Sequence, residues 1–377
     1  MNFKASARLS PTLQKKERFL TFVGQKERVR NILVIRDGLL GDVVFITPVL
    51  RRLRSSFPDA FIDVMVGADT VRLLEAFPGI RTVFALPKKF SILAHVRIFL
   101  GLRRFKYDVV VICETNSHYT IMASLLGARF LCGLENSLSS WLDVPVPWQS
   151  NLHFVNAALG IIAEWTEQNS DDRTTLFISK EEKKATEEFL REFGILGSDY
   201  VVCIHPGCSS ANSERQWIPS RYSELADRVI QEYGAKILFT GLHQDEEEIE
   251  IIRAGMKGPS VSLAGKTPLR LLLSLLDRAD LVVGPYTGTL HIACALRTPV
   301  VMLVGAADPR YTGPFDPRGI SRFERVELPC IACARRDPKP VQWETCKTMR
   351  PVMCMEMLHV EQVFSAIEKT RMAAKTS

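Results

Sequence analysis

The stretch that decides the fold is ILVIRDGLLGDVVFITPVLRRLR, from Ile32 to Arg54. An apolar run, a glycine turn and an amphipathic segment follow one another here, which predicts a buried strand, a tight turn and a helix. Nucleotide-binding α/β domains often begin in this order, but the turn lacks the G-x-G-x-x-G dinucleotide fingerprint. Its Gly41 lets the backbone turn sharply, and Asp42 places a carboxylate where a phosphate would normally bind. The function of this carboxylate is therefore the first question that the sequence raises.

The alternation of strands and helices continues to about Ser170, and a second series of similar size follows. Such alternation predicts parallel sheets with helices on both faces, and 377 residues are too many for one ordinary core. We therefore expect an α/β protein with two Rossmann-like, doubly wound parallel-sheet domains facing each other across a cleft. The expected divisions are a basic arm over residues 1–30, domains over 31–175 and 176–355, and a helix over 356–377 that packs back.

The composition is that of a soluble globular protein, with 46% hydrophobic and 24% charged residues. The sequence contains no apolar run of about 18 residues, so it predicts no transmembrane helix. The N-terminus lacks the apolar core of a secretory signal, so we expect a cytoplasmic location. The net charge of +6 favours anionic partners, but no recognised nucleic-acid motif accompanies it, and no nucleic-acid partner is expected.

Part of the basic charge lies in KKFSILAHVRIFLGLRRFKY, from Lys88 to Tyr107, where Phe, Ile and Leu interleave with Lys and Arg. A segment of this kind can lie on an anionic membrane surface. A helix with one solvated face and one core face gives the same pattern. Both interpretations stay open from the residues alone.

Asp42 stands where the predicted helix begins, near Val43. As a helix cap it would stabilise the protein by roughly 1 kcal/mol. As a general base aimed into the cleft it would take a proton from a hydroxyl group. The residues alone favour the capping role.

Three polar segments follow predicted strands of the second domain. HPGCSSANSERQW offers hydroxyls and a cation for a diphosphate, and YTGTLH begins a helix whose free N–H groups can bind phosphate. DEEEIEII offers a carboxylate for the two ribose hydroxyls of a nucleotide. Each segment also has a structural explanation, as a polar loop, a helix start with a structural histidine, or an acidic first turn. The candidate ligand-binding residues are Gly41, Ser209, Ser210, Glu246, Tyr286, Thr287, Gly288 and His291, and the candidate catalytic residues are Asp42 and Arg215.

Taken together and in this order, these segments resemble glycosyltransferase family 9, the ADP-heptose:lipopolysaccharide heptosyltransferases and their relatives. IRDGLLGDVVFITPVLRRLRSSFPDA is similar to the opening of that family. HPGCSS, followed by RQWIPSRYSELA, is similar to its His-Pro-Gly…Lys/Arg-x-Trp-Pro pattern, with Ile218 as an extra residue. SLAGKTPLRLLLSLLDRADLVVGPYTGTLHIACALRTPVVMLVG follows its Leu-x-Gly-Lys…Asp-Thr-Gly-x-x-His pattern. The resemblance runs from about Ile32 to the C-terminal helix.

The resemblance implies a GT-B architecture and an enzyme that transfers a sugar with inversion from a nucleotide diphosphate, with ADP-heptose as the expected donor. The implied acceptor is a lipid-linked lipopolysaccharide core or related glycan at the inner face of the cytoplasmic membrane, with no metal or further cofactor required. By position, Asp42 matches the catalytic base and Arg215 the residue that steadies the diphosphate. Thr287, Gly288 and His291 match the phosphate-binding helix start, and Glu246 falls near the ribose-binding carboxylate.

One residue departs from the family pattern. Asp usually precedes the Thr-Gly pair, and this chain has Tyr286 there, which is neutral at pH 7 but can donate a hydrogen bond. An altered donor or acceptor is the preferred explanation because Asp42 and Arg215 are both present. The alternative is a catalytically impaired relative that only binds a nucleotide sugar.

Nine cysteines in a chain without a secretory signal are expected to be mostly free thiols. Cys330, Cys333, Cys346 and Cys354 form a group in the sequence, and a C-x-x-C pair followed by two further cysteines can make a tetrahedral zinc site. The second pair is not itself C-x-x-C, which weakens this interpretation. Zinc binding, free thiols and disulfides stay open.

Overall fold

The structure is a computed structural model that describes residues 10–89, 91–149, 151–168, 172–208, 214–333, 346 and 352–376. The chain divides into two units, Met1–Asp172 and Arg173–Ser377, so the division follows Asp172 where the expected boundary followed residue 175. Each unit contains one parallel sheet of six strands with helices on its faces. The prediction of two Rossmann-like, doubly wound α/β domains is confirmed.

The sheet of the first unit has the strand order β3-β2-β1-β4-β5-β6, so the order reverses between β1 and β4. Ile35 of β1 pairs with Ile112 of β4, which brings the residues that follow these two strands side by side at the carboxyl edge. Ligands of open α/β sheets bind at such a reversal. The strands are β1 (Asn31–Arg36), β2 (Phe61–Gly67), β3 (Ile80–Leu86), β4 (Val109–Ile112), β5 (Phe130–Leu134) and β6 (Val144–Val146).

Among the described residues of the first unit, six helices accompany this sheet. The apolar stripe of the third one, Val49, Leu50 and Leu53, is buried because these positions recur at helical spacing. The helices are α1 (Pro11–Val23), α2 (Leu40–Val44), α3 (Thr47–Ser56), α4 (Ile92–Leu102), α5 (Ser117–Ser124) and α6 (Phe154–Gly160), and short 3₁₀ turns span Lys26–Arg28, Ala68–Leu74, Arg103–Phe105 and Ser139–Trp141.

Helix α1 lies inside the segment that we expected to be a basic arm. Ser10 caps it through the Leu13 N–H, and Pro11 is its first residue, where its fixed φ suits a helix. Phe19 is fully buried, and its ring meets those of Phe130 and Trp165 edge to face, with centroids 5.3 Å apart in each pair. From residue 10 onward the arm is therefore folded onto the first unit, because its apolar positions outweigh the solvation of its cations.

The sheet of the second unit has the order β12-β11-β10-β7-β8-β9, and its order reverses between β7 and β10. Ile204 of β7 pairs with Val283 of β10, so the segments that begin at His205 and Tyr286 leave neighbouring strands at the same edge of the sheet. The strands are β7 (Val201–Ile204), β8 (Lys236–Phe239), β9 (Ser260–Ser262), β10 (Leu281–Pro285), β11 (Val300–Leu303) and β12 (Arg322–Glu324).

The described helices of the second unit end with a long one that packs on its core through Val363, Phe364 and Ile367. Phe364 stacks on Tyr233 with the ring centroids 5.9 Å apart. The helices are α7 (Lys180–Arg191), α8 (Pro219–Tyr233), α9 (Glu246–Ala254), α10 (Leu269–Arg278), α11 (Gly288–Ala295), α12 (Pro309–Thr312), α13 (Met353–Glu356) and α14 (Val360–Thr376), with a 3₁₀ turn over His243–Asp245.

Among the helices of the described residues, none combines the length and the apolar character that crossing a membrane requires.

Candidate active site

The glycine turn after β1 holds the carboxylate of Asp42. Asp42 is the third residue of α2, and its Oδ2 accepts the backbone N–H of Leu39 at 2.9 Å, so it caps the helix from inside the first turn. Gly41 is the buried second residue of α2. Gly38 has φ +148°, and a Cβ there would lie 2.7 Å from Asp42 Oδ2. Glycine at position 38 therefore permits both this backbone conformation and the inward position of the carboxylate.

The second oxygen of Asp42 pairs with Arg36, the last residue of β1. Arg36 Nη2 lies 2.5 Å from Asp42 Oδ1, and Nη1 donates to the Cys113 carbonyl at 2.8 Å. The guanidinium also lies over the Phe154 ring, 4.1 Å from its centroid. Burial works against the charge of Arg36, but Glu114 and Asp42 more than offset this and raise its pKa. Asp42 is therefore held as a partner of a permanent cation, with 33% of its side chain exposed.

Glu114 is a member of this cluster that the sequence analysis missed. It follows β4, and its Oε1 lies 3.3 Å from Arg36 Nη1 while only 13% of its side chain is exposed. Burial raises the pKa of Glu114 to about 7, although Arg36 acts in the opposite direction. Near neutral pH this carboxyl group is therefore divided between its protonated and ionised forms. Its signal in the sequence is an acidic residue directly after the apolar run VVVIC.

Helix α5 fixes the other side of the turn. The Tyr119 hydroxyl donates to Asp37, whose Oδ1 accepts the Gly38 N–H at 2.9 Å. Burial, together with the hydrogen bond to Asp37, raises the pKa of Tyr119, so the phenol stays a neutral donor. The ring of His118, the residue before Tyr119 in α5, meets the ring of His95 edge to face, with the centroids 5.2 Å apart. The turn is thus tied to both α5 and α4.

In the second unit, α11 begins immediately after the end of β10. Thr287 is its N-cap and Gly288 its first residue, and no hydrogen bond from the helix reaches the Thr287 side chain. The Thr287 hydroxyl is buried and finds no hydrogen-bond partner in the part of the chain that the structure describes. A helix start has free N–H groups and the positive end of the dipole, so this end of α11 offers a set of donors to an anion.

Arg215 and Tyr286 lie together beside this helix start. Arg215 Nη1 donates to the Tyr286 carbonyl at 2.8 Å, and its guanidinium carbon is 5.1 Å from the centroid of the Tyr286 ring. The same ring meets His291 edge to face at 5.4 Å, and its hydroxyl is hydrogen-bonded to Thr312. Tyr286 is buried. Tyr286 therefore holds Arg215 through both its carbonyl and its ring.

His205 crosslinks the elements behind this site. Its Nδ1 lies 3.2 Å from the Thr240 hydroxyl and its Nε2 lies 3.2 Å from the Thr289 hydroxyl. Burial lowers the pKa of His205 to about 4. The imidazole is therefore neutral at physiological pH and connects the ends of β7 and β8 to α11, a role that the sequence analysis did not assign.

The acidic segment separates into one buried and one open carboxylate. Asp245 is buried, and its Oδ2 accepts the Leu242 N–H at 2.7 Å, so it holds the local turn. A Cβ at Gly207 would lie 2.6 Å from the Asp245 carboxylate, which explains the glycine. Glu246 is the partly exposed first residue of α9, and its Oε1 is 2.8 Å from His243 Nδ1. Glu246 is therefore the carboxylate of this pair that is free to meet a ligand.

The structure thus brings Arg215, Tyr286, Thr287, Gly288 and His291 to one edge of the second sheet. It places Gly41 and Asp42 at the corresponding edge of the first sheet. Ser209 and Ser210 lie outside the described residues. The roles of all these residues stay predictions.

The model of the family described as glycosyltransferase family 9 (heptosyltransferase) matches residues 95–339, which is more than half of the chain. The chain belongs to glycosyltransferase family 9. Both the suspected family and the prediction of a glycosyltransferase are confirmed.

Individual members of family 9 are similar over most of the chain. Lipopolysaccharide heptosyltransferase 3 of Escherichia coli is 27% identical over 288 residues, which cover 73% of this chain and 83% of that protein. A family 9 glycosyltransferase structure from Veillonella parvula has a TM-score of 0.77 at 20% identity and covers 91% and 97% of the two chains. E. coli ADP-heptose LPS heptosyltransferase II has a TM-score of 0.73 at 20% identity, with 92% and 99% covered. These two structures share the fold of this family 9 chain.

In the part of this family 9 protein that the structure describes, no disulfide joins any of the nine cysteines. Cys333 and Cys354 are buried, and Cys330 and Cys346 are partly exposed. Burial, with a smaller contribution from the three other thiols of the group, raises the pKa of Cys354 to about 12. Within the described residues, no three or more His, Cys, Asp or Glu side chains are arranged to hold a metal ion.

Proposed function

We propose that this protein transfers a heptose, with inversion, from ADP-heptose to a lipopolysaccharide-core or related glycan acceptor. Support comes from the family and from relatives named as lipopolysaccharide and lipooligosaccharide heptosyltransferases. The observation that carries the proposal is that one sheet edge holds a group able to accept a proton and the other holds groups able to bind a diphosphate. One edge holds an ion-paired carboxylate, Asp42, and the other holds a helix start with Arg215 beside it.

The donor diphosphate binds at the start of α11. The N–H groups after Thr287 point along the helix axis toward it, and the buried Thr287 hydroxyl supplies one more donor. Arg215 adds a fork of donors that suits phosphate oxygens. Glu246 accepts hydrogen bonds from the ribose hydroxyls, and Ser209 and Ser210 add contacts to the diphosphate. These fixed charges stabilise the negative charge that grows on the leaving group, so the mechanism requires no metal or further cofactor.

Asp42 acts as the general base. It removes the proton of an acceptor hydroxyl while that oxygen forms a bond to the anomeric carbon, and the bond from this carbon to the diphosphate oxygen breaks on the opposite face. The configuration at the anomeric carbon is therefore inverted, and the electron pair of the broken bond leaves with ADP. Arg36 donates to Asp42 Oδ1, and the Leu39 N–H donates to Asp42 Oδ2. The carboxylate is therefore oriented before the acceptor arrives.

The acceptor in this proposal is anchored in lipid, which assigns the protein to the inner face of the cytoplasmic membrane as a peripheral enzyme. A cytoplasmic location also gives it access to a nucleotide sugar. No nucleic-acid partner is part of the proposal.

The test measures transfer and donor binding separately, with a deacylated, water-soluble core acceptor. Asp42→Asn should lower transfer by about 10²- to 10⁴-fold, the range of general-base catalysis, and leave ADP binding unchanged. Asp59→Asn is the matched control, since Asp59 is an exposed carboxylate away from this turn. Transfer by Asp42→Asn at the wild-type rate would show that Asp42 is not the base.

A scan of several nucleotide sugars belongs to the same experiment because Tyr286 replaces the family's aspartate. Preference for a sugar other than heptose would assign Tyr286 to donor selection. If the wild type binds a nucleotide sugar but transfers none of them, the protein is the catalytically impaired relative and the proposal fails.

A further inference from the structure

The segment from residue 76 to residue 107 contains no aspartate or glutamate. Its formal charge is +7, whereas the whole chain carries +6, so the rest of the protein is close to neutral. The cations of this carboxylate-free segment are Arg81, Lys88, Lys89, Arg97, Arg103, Arg104 and Lys106. Arg81 and Lys88 form ion pairs with Asp63 and Asp69. For the other five, the described part of the chain supplies no ion-pair partner.

Helix α4, inside this segment, presents large aliphatic side chains to solvent. Leu93 is 83% exposed and Ile92 is 61% exposed, and Leu100 lies one helical repeat beyond Leu93 with 44% exposure. Arg97 lies between the two leucines on the same face, at i+4 from Leu93, and is exposed. The opposite face buries Phe99 and its neighbours in the core. The outward face therefore combines apolar and cationic side chains without a carboxylate.

The first turn of α4 lies at the carboxyl edge of the sheet. Parallel strands end on the same edge, and α4 begins six residues after β3, so Ile92 and Leu93 lie at the edge that carries Asp42. The helix is also tied to the glycine turn through the contact of His95 with His118 and the adjacent hydrogen bond from Tyr119 to Asp37.

We propose that the exposed face of α4 docks the protein on an anionic lipid bilayer. Ile92 and Leu93 enter the interfacial region of the bilayer, and the cations around them contact lipid headgroups. A bilayer fits both parts of the surface, because aliphatic side chains leave water on insertion while an anionic leaflet attracts a cluster of cations. A nucleic acid would match the cations but would offer nothing to the exposed aliphatic side chains.

This surface adds to the proposed function a route by which a lipid-linked acceptor reaches the protein, and that addition rests on the proposed function. If the acceptor is lipid-linked, docking through α4 brings the bilayer to the edge of the first sheet on which Asp42 lies. The docking itself depends only on the residues of α4 and its flanks, so it is measured without any transfer reaction.

The experiment is flotation of the full-length protein with two kinds of vesicle, pure phosphatidylcholine and phosphatidylcholine with about one third phosphatidylglycerol. The wild type should bind the anionic vesicles and not the neutral ones, with binding that weakens as salt rises. Leu93→Glu and Arg97→Glu should each lower the affinity by about tenfold or more. Leu196→Glu is the matched control, because Leu196 is an exposed leucine in the second unit, and its binding should equal that of the wild type.

Two results overturn the inference: wild-type protein that does not float with anionic vesicles, or Leu93→Glu that floats as well as the wild type. Self-association at increasing concentration that Leu93→Glu abolishes, with no vesicle binding, would show instead that the face binds a second copy. Transfer to the soluble deacylated acceptor should be unchanged in Leu93→Glu, which also confirms that the variant folds. Failure of transfer with intact flotation refutes only the proposed function, and failure of flotation with intact transfer refutes only the docking surface.

Discussion

Glu114 allows the electrostatics of the first sheet edge to be tested by a stability measurement. Burial raises its pKa from an ordinary 4.5 to about 7. The unfolded chain therefore releases this proton at lower pH than the folded chain does. Below pH 4.5 both states hold the proton and there is no penalty, and as pH rises toward 7 the fold loses stability relative to the unfolded chain. Above pH 7 the penalty is complete.

The magnitude follows from the two pKa values. A tenfold difference in proton affinity corresponds to about 1.4 kcal/mol, so linkage gives a penalty of about 1 kcal/mol at pH 5 and about 3 kcal/mol at pH 8. Glu114→Gln imitates the protonated carboxyl group at every pH. We therefore expect this variant to be more stable than the wild type by about 1 kcal/mol at pH 5 and about 3 kcal/mol at pH 8.

The assay is urea unfolding at several pH values between 5 and 8, with hydrogen exchange of peptides from β1 and β4 to follow the first unit. Glu135→Gln is the control, because Glu135 is an exposed carboxylate after β5, and its difference from the wild type should stay constant. A Glu114→Gln advantage that is constant or shrinks as pH rises would refute the reasoning. It would mean that Arg36 outweighs burial and that Glu114 is ionised throughout this range.

Three other predictions concern single residues. Burial lowers the pKa of His205 from 6.5 to about 4. The free energy of unfolding of the second unit should therefore fall by about 3 kcal/mol as pH falls from 6.5 to 4, because the unfolded chain binds the proton more tightly. Hydrogen exchange of β7 peptides measures this change, and His205→Gln should remove the pH dependence. Gly38→Ala should lower the free energy of unfolding by about 1–3 kcal/mol, measured by thermal unfolding, because Gly38 has φ +148°. Gly101→Ala, in open space on α4, should raise it by about 0.5–1 kcal/mol. Equal effects of the two substitutions would contradict a strained turn at Gly38. Tyr286→Phe keeps the ring and the carbonyl that hold Arg215, so calorimetry should give it an ADP affinity within about threefold of the wild type. Arg215→Met should lose about tenfold or more in ADP affinity. A larger loss in Tyr286→Phe than in Arg215→Met would show that the tyrosine hydroxyl itself binds the nucleotide.

The fold was predictable from the sequence because it depends on local periodicity. Apolar runs of four to seven residues alternate with helical patterns, and this rhythm alone requires parallel sheets. The N-terminal segment was harder, since Phe19 and Phe22 are spaced among cations and their contact with Phe130 depends on residues more than 100 positions away. Pattern identifies an element, but only the packed structure shows what covers it.

The candidate site was predictable where its residues are consecutive and unpredictable where they are not. Thr287 and Gly288 stand at a helix start that the sequence displays directly. Arg36 and Glu114 are far apart in the chain and meet only because β4 pairs with β1. Strand order is not written in any local pattern, so the buried acid beside the Arg36–Asp42 pair required the structure.

The contacts of Asp42 answer the question that the glycine turn raised. The start of α2 already holds an anion, since the Asp42 carboxylate accepts the Leu39 N–H and pairs with Arg36. A phosphate at this turn would compete with that internal carboxylate and would meet Glu114 as well. The first turn of α11 contains no acidic residue and its N-cap makes no side-chain hydrogen bond to the helix. Among the described residues, the buried Thr287 hydroxyl is left without a partner. The two sheet edges are therefore built for opposite charges. This difference is the physical reason to assign the diphosphate to the second unit and the proton-accepting step to the first.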